Sequence, residues 1–153
     1  MQNAQLAPTL LPTGYYPLKH TRPVDHGLQK HFQTIIGSLL YLMLGTRPDI
    51  TFAVTQLAWH TANPSPDHLN RALYICRYLL GTQEYALVYK GKSKLSIYAY
   101  TNSDWASNSE DCHFQMGYFL IVTGDTFSWT LKAQRTVALS SMEAEYMVLS
   151  DYM

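Results

Sequence analysis

The sequence predicts an α+β fold in which a small three-helix unit precedes an incomplete three-stranded antiparallel sheet with one packed helix. Between residues 29 and 81, apolar side chains recur every three or four residues, which is the spacing of a buried helix face. After residue 84 the apolar spacing shortens to two, the period of a half-buried strand. The charge balance changes near the same point. Residues 1–95 hold nine basic and four acidic side chains, and residues 96–153 hold two and seven.

The composition excludes several classes of protein. Apolar residues make up 47% of the 153 residues and charged residues 14%, a balance opposite to that of disordered chains. The formal net charge of zero argues against a generally basic nucleic-acid coat. Cys76 and Cys112 are far apart, and His60 and His68 lack ligand-type spacing. We therefore expect neither a disulfide framework nor a zinc site.

The sequence also bears on the location of the protein. It contains no run of about 18 apolar residues, so no membrane-spanning helix is expected. The first residues lack the basic start and the apolar core of a secretory signal peptide. Because nothing indicates disulfide pairing, we expect an intracellular protein, in the cytoplasm or the nucleus, with no membrane partner.

An irregular tail is predicted for residues 1–28, because four prolines and two glycines interrupt every possible element there. The first helix is predicted to begin at Gln29, where the apolar spacing becomes helical. Its predicted end is Gly45, since glycine is the residue that most often follows the last turn of a helix.

Two further helices are predicted, each with a proline in its first turn. Thr46 is the predicted N-cap of the second helix, and Arg47 and Asp49 are expected to form a structural pair at its start. Ser65 is the predicted N-cap of the third helix, and Gly81 is its predicted end.

The second half of the sequence predicts strands and one final helix. A hairpin is expected from strands at 85–89 and 95–101, with a turn between them. Further strands are predicted at 118–122 and 126–130. Ser140 and Glu143 have the spacing of a capping box, which predicts a helix from Ser141 onward. So few strands with one helix make a thin core, which is why the sheet is expected to be incomplete.

The sequence resembles the C-terminal part of the Pol polyprotein of copia-type LTR retrotransposons. The resemblance rests on five segments in order: LPTGY at 11–15, IGSLLYLMLGTRPDI at 36–50, RYLLGT at 77–82, SDWA at 103–106 and SSMEAEY at 140–146. Together these segments extend over nearly the whole chain. The last two are similar to signatures of the family's ribonuclease H domain.

The resemblance implies a division of the chain. Residues 29–90 are similar to the end of the reverse transcriptase and its connection, and residues 91–153 to the N-terminal half of ribonuclease H. The family's activities are RNA-directed DNA synthesis and hydrolysis of RNA in RNA–DNA hybrids. The polymerase palm is not within the chain, so we expect a degenerate fragment with no activity of its own. Two alternatives remain: a non-catalytic module that binds nucleic acid or other Pol fragments, and a nuclease completed by a partner chain.

The resemblance also implies a metal site. Ribonuclease H uses two Mg²⁺ ions about 4 Å apart, held by carboxylates from several elements. The position of the first-strand catalytic Asp is occupied here by Asn102, a neutral residue. Asp104 is two residues further on and is a weak candidate ligand on the same strand face. Glu145 matches the family's helix Glu, although an acid near a helix start is also favoured by the helix dipole. The family's later acids are not within the chain, so no tightly bound metal is expected.

Lys90, Lys92 and Lys94 are the candidate contacts to nucleic-acid phosphates, because they cluster around the predicted hairpin turn. The partner implied by the resemblance is an RNA–DNA hybrid. Lysines in turns are more often simply solvated. The sequence alone leaves both interpretations of the three lysines open.

Overall fold

The computed structural model describes residues 5–12, 14–91, 94–104, 115–133 and 140–151. The chain divides into two compact units, Met1–Ala86 and Leu87–Met153. The elements of the first unit are α1 (His26–Gly45), a single 3₁₀ turn (Pro48–Ile50), α2 (Thr51–Ala58) and α3 (Pro66–Gly81). Those of the second unit are β1 (Ile97–Asp104), β2 (Gln115–Val122), β3 (Asp125–Ala133) and α4 (Ser141–Asp151). This element content confirms the predicted α+β class.

The core of the first unit lies between α1, α2 and α3. Apolar side chains from all three helices and from the 3₁₀ turn are almost fully removed from solvent there, as the helical spacing predicts. They are Phe32, Ile36, Leu39, Met43, Ile50, Ala53, Val54, Leu57, Ala72 and Ile75. The extended segment that precedes α1 adds Leu10 and Leu11, which are half-buried against this core. Part of the predicted irregular tail is therefore packed.

Helix α1 begins at His26, three residues before the predicted start. The Asp25 carboxylate caps it by accepting hydrogen bonds from the backbone N–H groups of Gly27 at 2.9 Å and Leu28 at 3.1 Å. Asp is among the most favourable N-cap residues because it satisfies the free donors of the first turn. The apolar pattern did not predict this start because Gly27 lies in the first turn and the apolar spacing becomes regular only after it.

The predicted capping by Thr46 is wrong. Its N–H bonds to the carbonyl of Leu42, so Thr46 closes α1 instead of opening α2. The 3₁₀ turn intervenes, and it starts without a side-chain cap because its N-cap residue, Arg47, has no acceptor in its side chain. The prediction for Ser65 is confirmed: its side chain caps α3 by accepting from the N–H of His68 at 3.2 Å.

The sheet of the second unit is an antiparallel meander with strand order β1-β2-β3. Thr123 and Gly124, both at positive φ, form the tight turn between β2 and β3. Positive φ at two successive residues is typical of the turns that match the twist of paired strands. Helix α4 packs mainly against β1. The Ser140 hydroxyl accepts from the N–H of Glu143 at 3.2 Å, so the predicted N-cap of this helix is confirmed.

The predicted strand at 85–89 is wrong. These residues lie in no strand, and the side chains of Tyr85, Val88 and Tyr89 are largely exposed. The N–H of Tyr85 bonds to the carbonyl of Thr82 in a turn that follows α3. Alternating apolar residues stabilise a strand only where a second strand pairs with them.

Within the segments that the structure describes, no helix combines the length and apolarity that crossing a bilayer requires.

Candidate functional site

Strand β1 carries Asn102, at the position where the resemblance implies the first metal ligand, and Asp104, the weak candidate. Asn102 is exposed and pairs with Gly117 of β2. Asp104 is the last residue of β1 and pairs with Gln115. Because successive residues of a strand alternate between faces, positions 102 and 104 share one face of the sheet. The register therefore agrees with the placement predicted for these two residues.

Glu145 lies on α4, near its N-terminus, and its side chain is exposed. Since α4 packs mainly against β1, the fold brings together the two elements that carry Asn102 and Glu145. Glu145 is the fifth residue of α4 and lies beyond the first turn, whose acid is Glu143, so the helix dipole stabilises it little. Because the Glu145 side chain is exposed, water can solvate its carboxylate and no counter-ion is needed.

Two features of the described residues bear on whether a pair of magnesium ions could be held. Among the residues that the structure describes, no group of three or more His, Cys, Asp or Glu side chains could hold a metal ion. Asn102 offers one neutral carbonyl oxygen where a carboxylate would supply negative charge and bridge two ions. Magnesium binds hard oxygen ligands in near-ideal octahedral geometry, so a missing carboxylate weakens such a site strongly.

The backbone at Lys90 and Gly91, next to the other candidate lysines in the sequence, already binds an acid. The N–H groups of Lys90 and Gly91 donate to Oδ2 of Asp125, at 2.9 Å and 3.5 Å. Asp125 is the first residue of β3, so this contact ties Lys90 and Gly91 to the sheet. Lys94 is exposed, and Lys92 lies outside the described residues. The backbone donors of Lys90 and Gly91 therefore serve the fold.

A densely bonded polar site in the first unit is centred on Arg47. The residue is only 8% exposed, and its Nε and Nη2 atoms donate to the two carboxylate oxygens of Asp49 at 3.0 Å and 2.8 Å. Its Nη1 donates to the carbonyl of Thr82 at 3.1 Å, and Nη2 also donates to the Thr82 hydroxyl at 2.6 Å. A guanidinium is the side chain best suited to such planar, two-pronged pairing. The expected Arg47–Asp49 pair is thus confirmed, and it extends to the end of α3.

Aromatic rings complete the surroundings of Arg47. The guanidinium carbon lies 5.7 Å from the ring centroids of both Tyr78 and Tyr85, within the range of a cation–π interaction. The Tyr78 hydroxyl donates to Asp49 at 3.1 Å. Burial acts to raise the pKa of Asp49, but the hydrogen bonds and charge of Arg47 outweigh it and hold that pKa below its usual range. Arg47 belongs to the TRPD motif and Thr82 to the RYLLGT motif. Their hydrogen bonds join the two motifs and stabilise the fold of this unit.

The third motif of this unit, LPTGY, is also used for packing. The Tyr15 hydroxyl donates to the Asp67 carboxylate at 2.7 Å, and the guanidinium of Arg71 lies 4.6 Å from the centre of the Tyr15 ring. Arg71 also pairs with Asp67 at 3.3 Å. Burial, together with the adjacent Asp67, raises the pKa of the Tyr15 hydroxyl. These contacts fix the segment before α1 to the start of α3.

Sequence reasoning missed one further polar residue, His68, whose side chain is fully buried at the start of α3. Its Nδ1 accepts a hydrogen bond from the N–H of Ser65 at 3.1 Å. The capping-box pattern has Glu or Gln at this third position, and a His there is the signal that could have indicated its role.

No family model and no solved structure matches the chain. Curated proteins do match it. It is 38% identical over 120 residues to a secreted RxLR effector protein, number 161, of Plasmopara viticola, covering 78% of this chain and 84% of that protein.

Two longer relatives come from Arabidopsis thaliana. The chain is 38% identical over 115 residues to the retrovirus-related Pol polyprotein from transposon RE2, and 36% identical over 141 residues to that from transposon RE1. These matches cover 75% and 92% of this chain, but they span only 8% and 9% of the two polyproteins.

Proposed function

Because the chain belongs to the family of retrovirus-related Pol polyproteins from copia-type transposons, we propose that it is a degenerate fragment of their reverse transcriptase and ribonuclease H region, without nuclease activity of its own. The observation that carries this proposal is the neutral Asn102 on β1, the strand against which α4, the helix that carries Glu145, packs. A ribonuclease H site depends on converging carboxylates, and this strand lacks the first of them.

The second unit supports an assignment to the first half of a ribonuclease H-like domain. An antiparallel three-stranded meander followed by a helix on β1 is the arrangement that the sequence resemblance implies. The positions of the two signature segments agree with it, since SDWA begins at the end of β1 and SSMEAEY opens α4. On this proposal, Asn102, Asp104 and Glu145 are the degenerate remains of the metal site.

The first unit supports a connection-like role. Its family motifs are occupied in holding helices together, through Arg47 and Thr82 at one end of α3 and Tyr15 and Asp67 at the other. A compact helical spacer needs such internal links, whereas a catalytic segment would present its polar side chains to a substrate. This unit is therefore proposed to position neighbouring parts of a parent polyprotein and to perform no chemistry.

Incubation of the pure chain with a labelled RNA–DNA hybrid and Mg²⁺ or Mn²⁺ tests the proposal. We expect no cleavage by the wild-type chain and none by the Asn102→Asp variant, because one restored carboxylate leaves too few acidic ligands for two ions. An active ribonuclease H in a parallel reaction controls for the substrate. Metal-dependent cleavage by the wild-type chain would overturn the proposal. Cleavage restored by Asn102→Asp would show that the remaining ligands suffice after all.

A second candidate is a non-catalytic binding module. The match to 84% of a short protein favours it, because it shows that most of this segment occurs outside a long polyprotein. The same labelled hybrid discriminates between the candidates when its binding is measured at low and moderate salt. A module that contacts phosphates through Lys90 and Lys94 should bind measurably and lose affinity steeply with salt. The degenerate-fragment proposal expects no such binding.

A further inference from the structure

His68 closes a reciprocal hydrogen-bonded cap at the start of α3. Its Nδ1 accepts from the N–H of Ser65 at 3.1 Å, while its own N–H donates to the Ser65 hydroxyl at 3.2 Å. The side chain is 1% exposed. A histidine nitrogen accepts a hydrogen bond only when it carries no proton. The cap as built therefore requires His68 to be neutral.

Three different parts of the helical unit meet around this ring. His60, from the turn after α2, stacks on it with ring centroids 4.3 Å apart, and Phe32 of α1 lies 6.3 Å away. The extended segment before α1 brings His20 near the ring, and the backbone carbonyl of Leu18 accepts a hydrogen bond from the ring. Among the described residues, Nδ1 of His20 is buried without a hydrogen-bond partner.

The same place anchors the extended segment to the helices. The Asn63 side-chain amide donates to the carbonyl oxygens of His20 at 3.0 Å and Arg22 at 2.9 Å. The segment thus passes beside the His68 ring and is fixed there at His20 and Arg22. A change in the charge of the His68 ring would therefore alter the contact between the extended segment and the helices.

The surroundings of His68 disfavour its charged form. Burial is the main cause, and the like-charged His60 adds to it, so the pKa of His68 is lowered to about 4. Asp67 and the Leu18 backbone oppose the shift, and His20 reinforces it. A histidine in an unfolded chain titrates near 6.5. The folded unit therefore holds His68 neutral throughout the range in which a free histidine becomes charged.

We propose that His68, stacked on His60 and next to His20, is an acid-sensitive latch that caps α3 and holds the extended segment against the helices while it is neutral. Protonation of Nδ1 removes the acceptor for the Ser65 N–H and places two like charges 4.3 Å apart when His60 is also charged. Acid then opens the start of α3 and releases the segment that crosses it.

The sign of the pH dependence follows from the direction of the shift. A group whose pKa is lowered by folding stabilises the closed state above its unfolded pKa, and this contribution is lost as the pH falls toward the folded pKa. For His68 the loss occurs between pH 6.5 and about 4. The ratio of closed to open molecules should fall by up to about 300-fold over this interval, because each unit of pKa difference changes this ratio tenfold.

The test is an NMR titration of the full chain that records the His68 ring together with hydrogen exchange of the Ser65 and His68 amides. We expect the ring to titrate well below 6.5, and both amides to lose protection as it does. The His68→Gln variant keeps a neutral acceptor at the third position of the cap, so its amides should stay protected over the same range. His31→Gln, at an exposed site on α1, should behave as wild type.

Titration of the His68 ring near 6.5 with both amides still protected would overturn the proposal. So would loss of protection in His68→Gln at the same pH as in wild type, because the carboxylates common to both chains would then be responsible. If His68→Gln does not fold, His60→Gln serves instead. Removal of the stacked like charge narrows the pKa difference that drives opening, so the amides should open at a lower pH than in wild type, and an unchanged opening pH would contradict the latch.

Discussion

Replacement of Arg47 by alanine is expected to destabilise the helical unit by roughly 3 kcal/mol, the cost of removing one partner from a buried ion pair. Asp49 would lose both charged donors, and the Thr82 carbonyl and hydroxyl would lose theirs. The end of α3 would lose the links that run through Arg47 and would keep the hydrogen bond from Tyr78 to Asp49. The free energy of unfolding from urea denaturation, followed by helical circular dichroism, measures this loss.

Arg77→Ala is the matched control for that experiment. Arg77 also lies on α3 and stacks on a tyrosine, with its guanidinium 5.1 Å from the ring centre of Tyr74, but it is half-exposed. Loss of an exposed cation–π contact should cost about 1 kcal/mol or less. Equal effects of the two substitutions, or an Arg47→Ala chain as stable as wild type, would show that the Arg47 site does not hold the unit together.

The Phe32→Ala substitution is expected to have the other large effect, about 3–5 kcal/mol. Phe32 is 0% exposed and lies in the core between the three helices, next to His68. Its truncation removes apolar contacts and leaves a cavity that a close-packed interior fills only in part. The change should lower the midpoint of urea denaturation strongly.

Phe52→Ala is the matched control for Phe32→Ala. Phe52 lies on α2 and is 46% exposed, so less apolar surface returns to water when it is truncated. We expect a loss of about 1 kcal/mol or less. A Phe32→Ala chain that is no less stable than Phe52→Ala would contradict the packing described for the core.

The helices could be predicted from the sequence because the pattern that marks them is local. The apolar spacing and the Ser65 cap each involve residues within a few turns of one another, and α3 follows both. The false strand at 85–89 has an equally good local pattern. It fails because strand pairing depends on a distant partner, and Tyr85 stacks on Arg47 instead.

The polar sites show the same limit. The elements carrying Asn102 and Glu145 could be placed because the family pattern marks both residues, and the two elements pack together. The links from Arg47 to Thr82 span 35 residues and have no local signature. The histidines at 20, 60 and 68 likewise have no ligand-type spacing, so only the folded chain brings them together.

On the proposed function, too few carboxylates converge in this chain to hold two divalent ions. A manganese titration of the full chain, with free Mn²⁺ followed by electron paramagnetic resonance, tests it most directly. We predict weak binding with no saturable pair of sites, and the same curve for the Glu145→Gln variant. Two saturable Mn²⁺ ions per chain, lost on Glu145→Gln substitution, would contradict the claim.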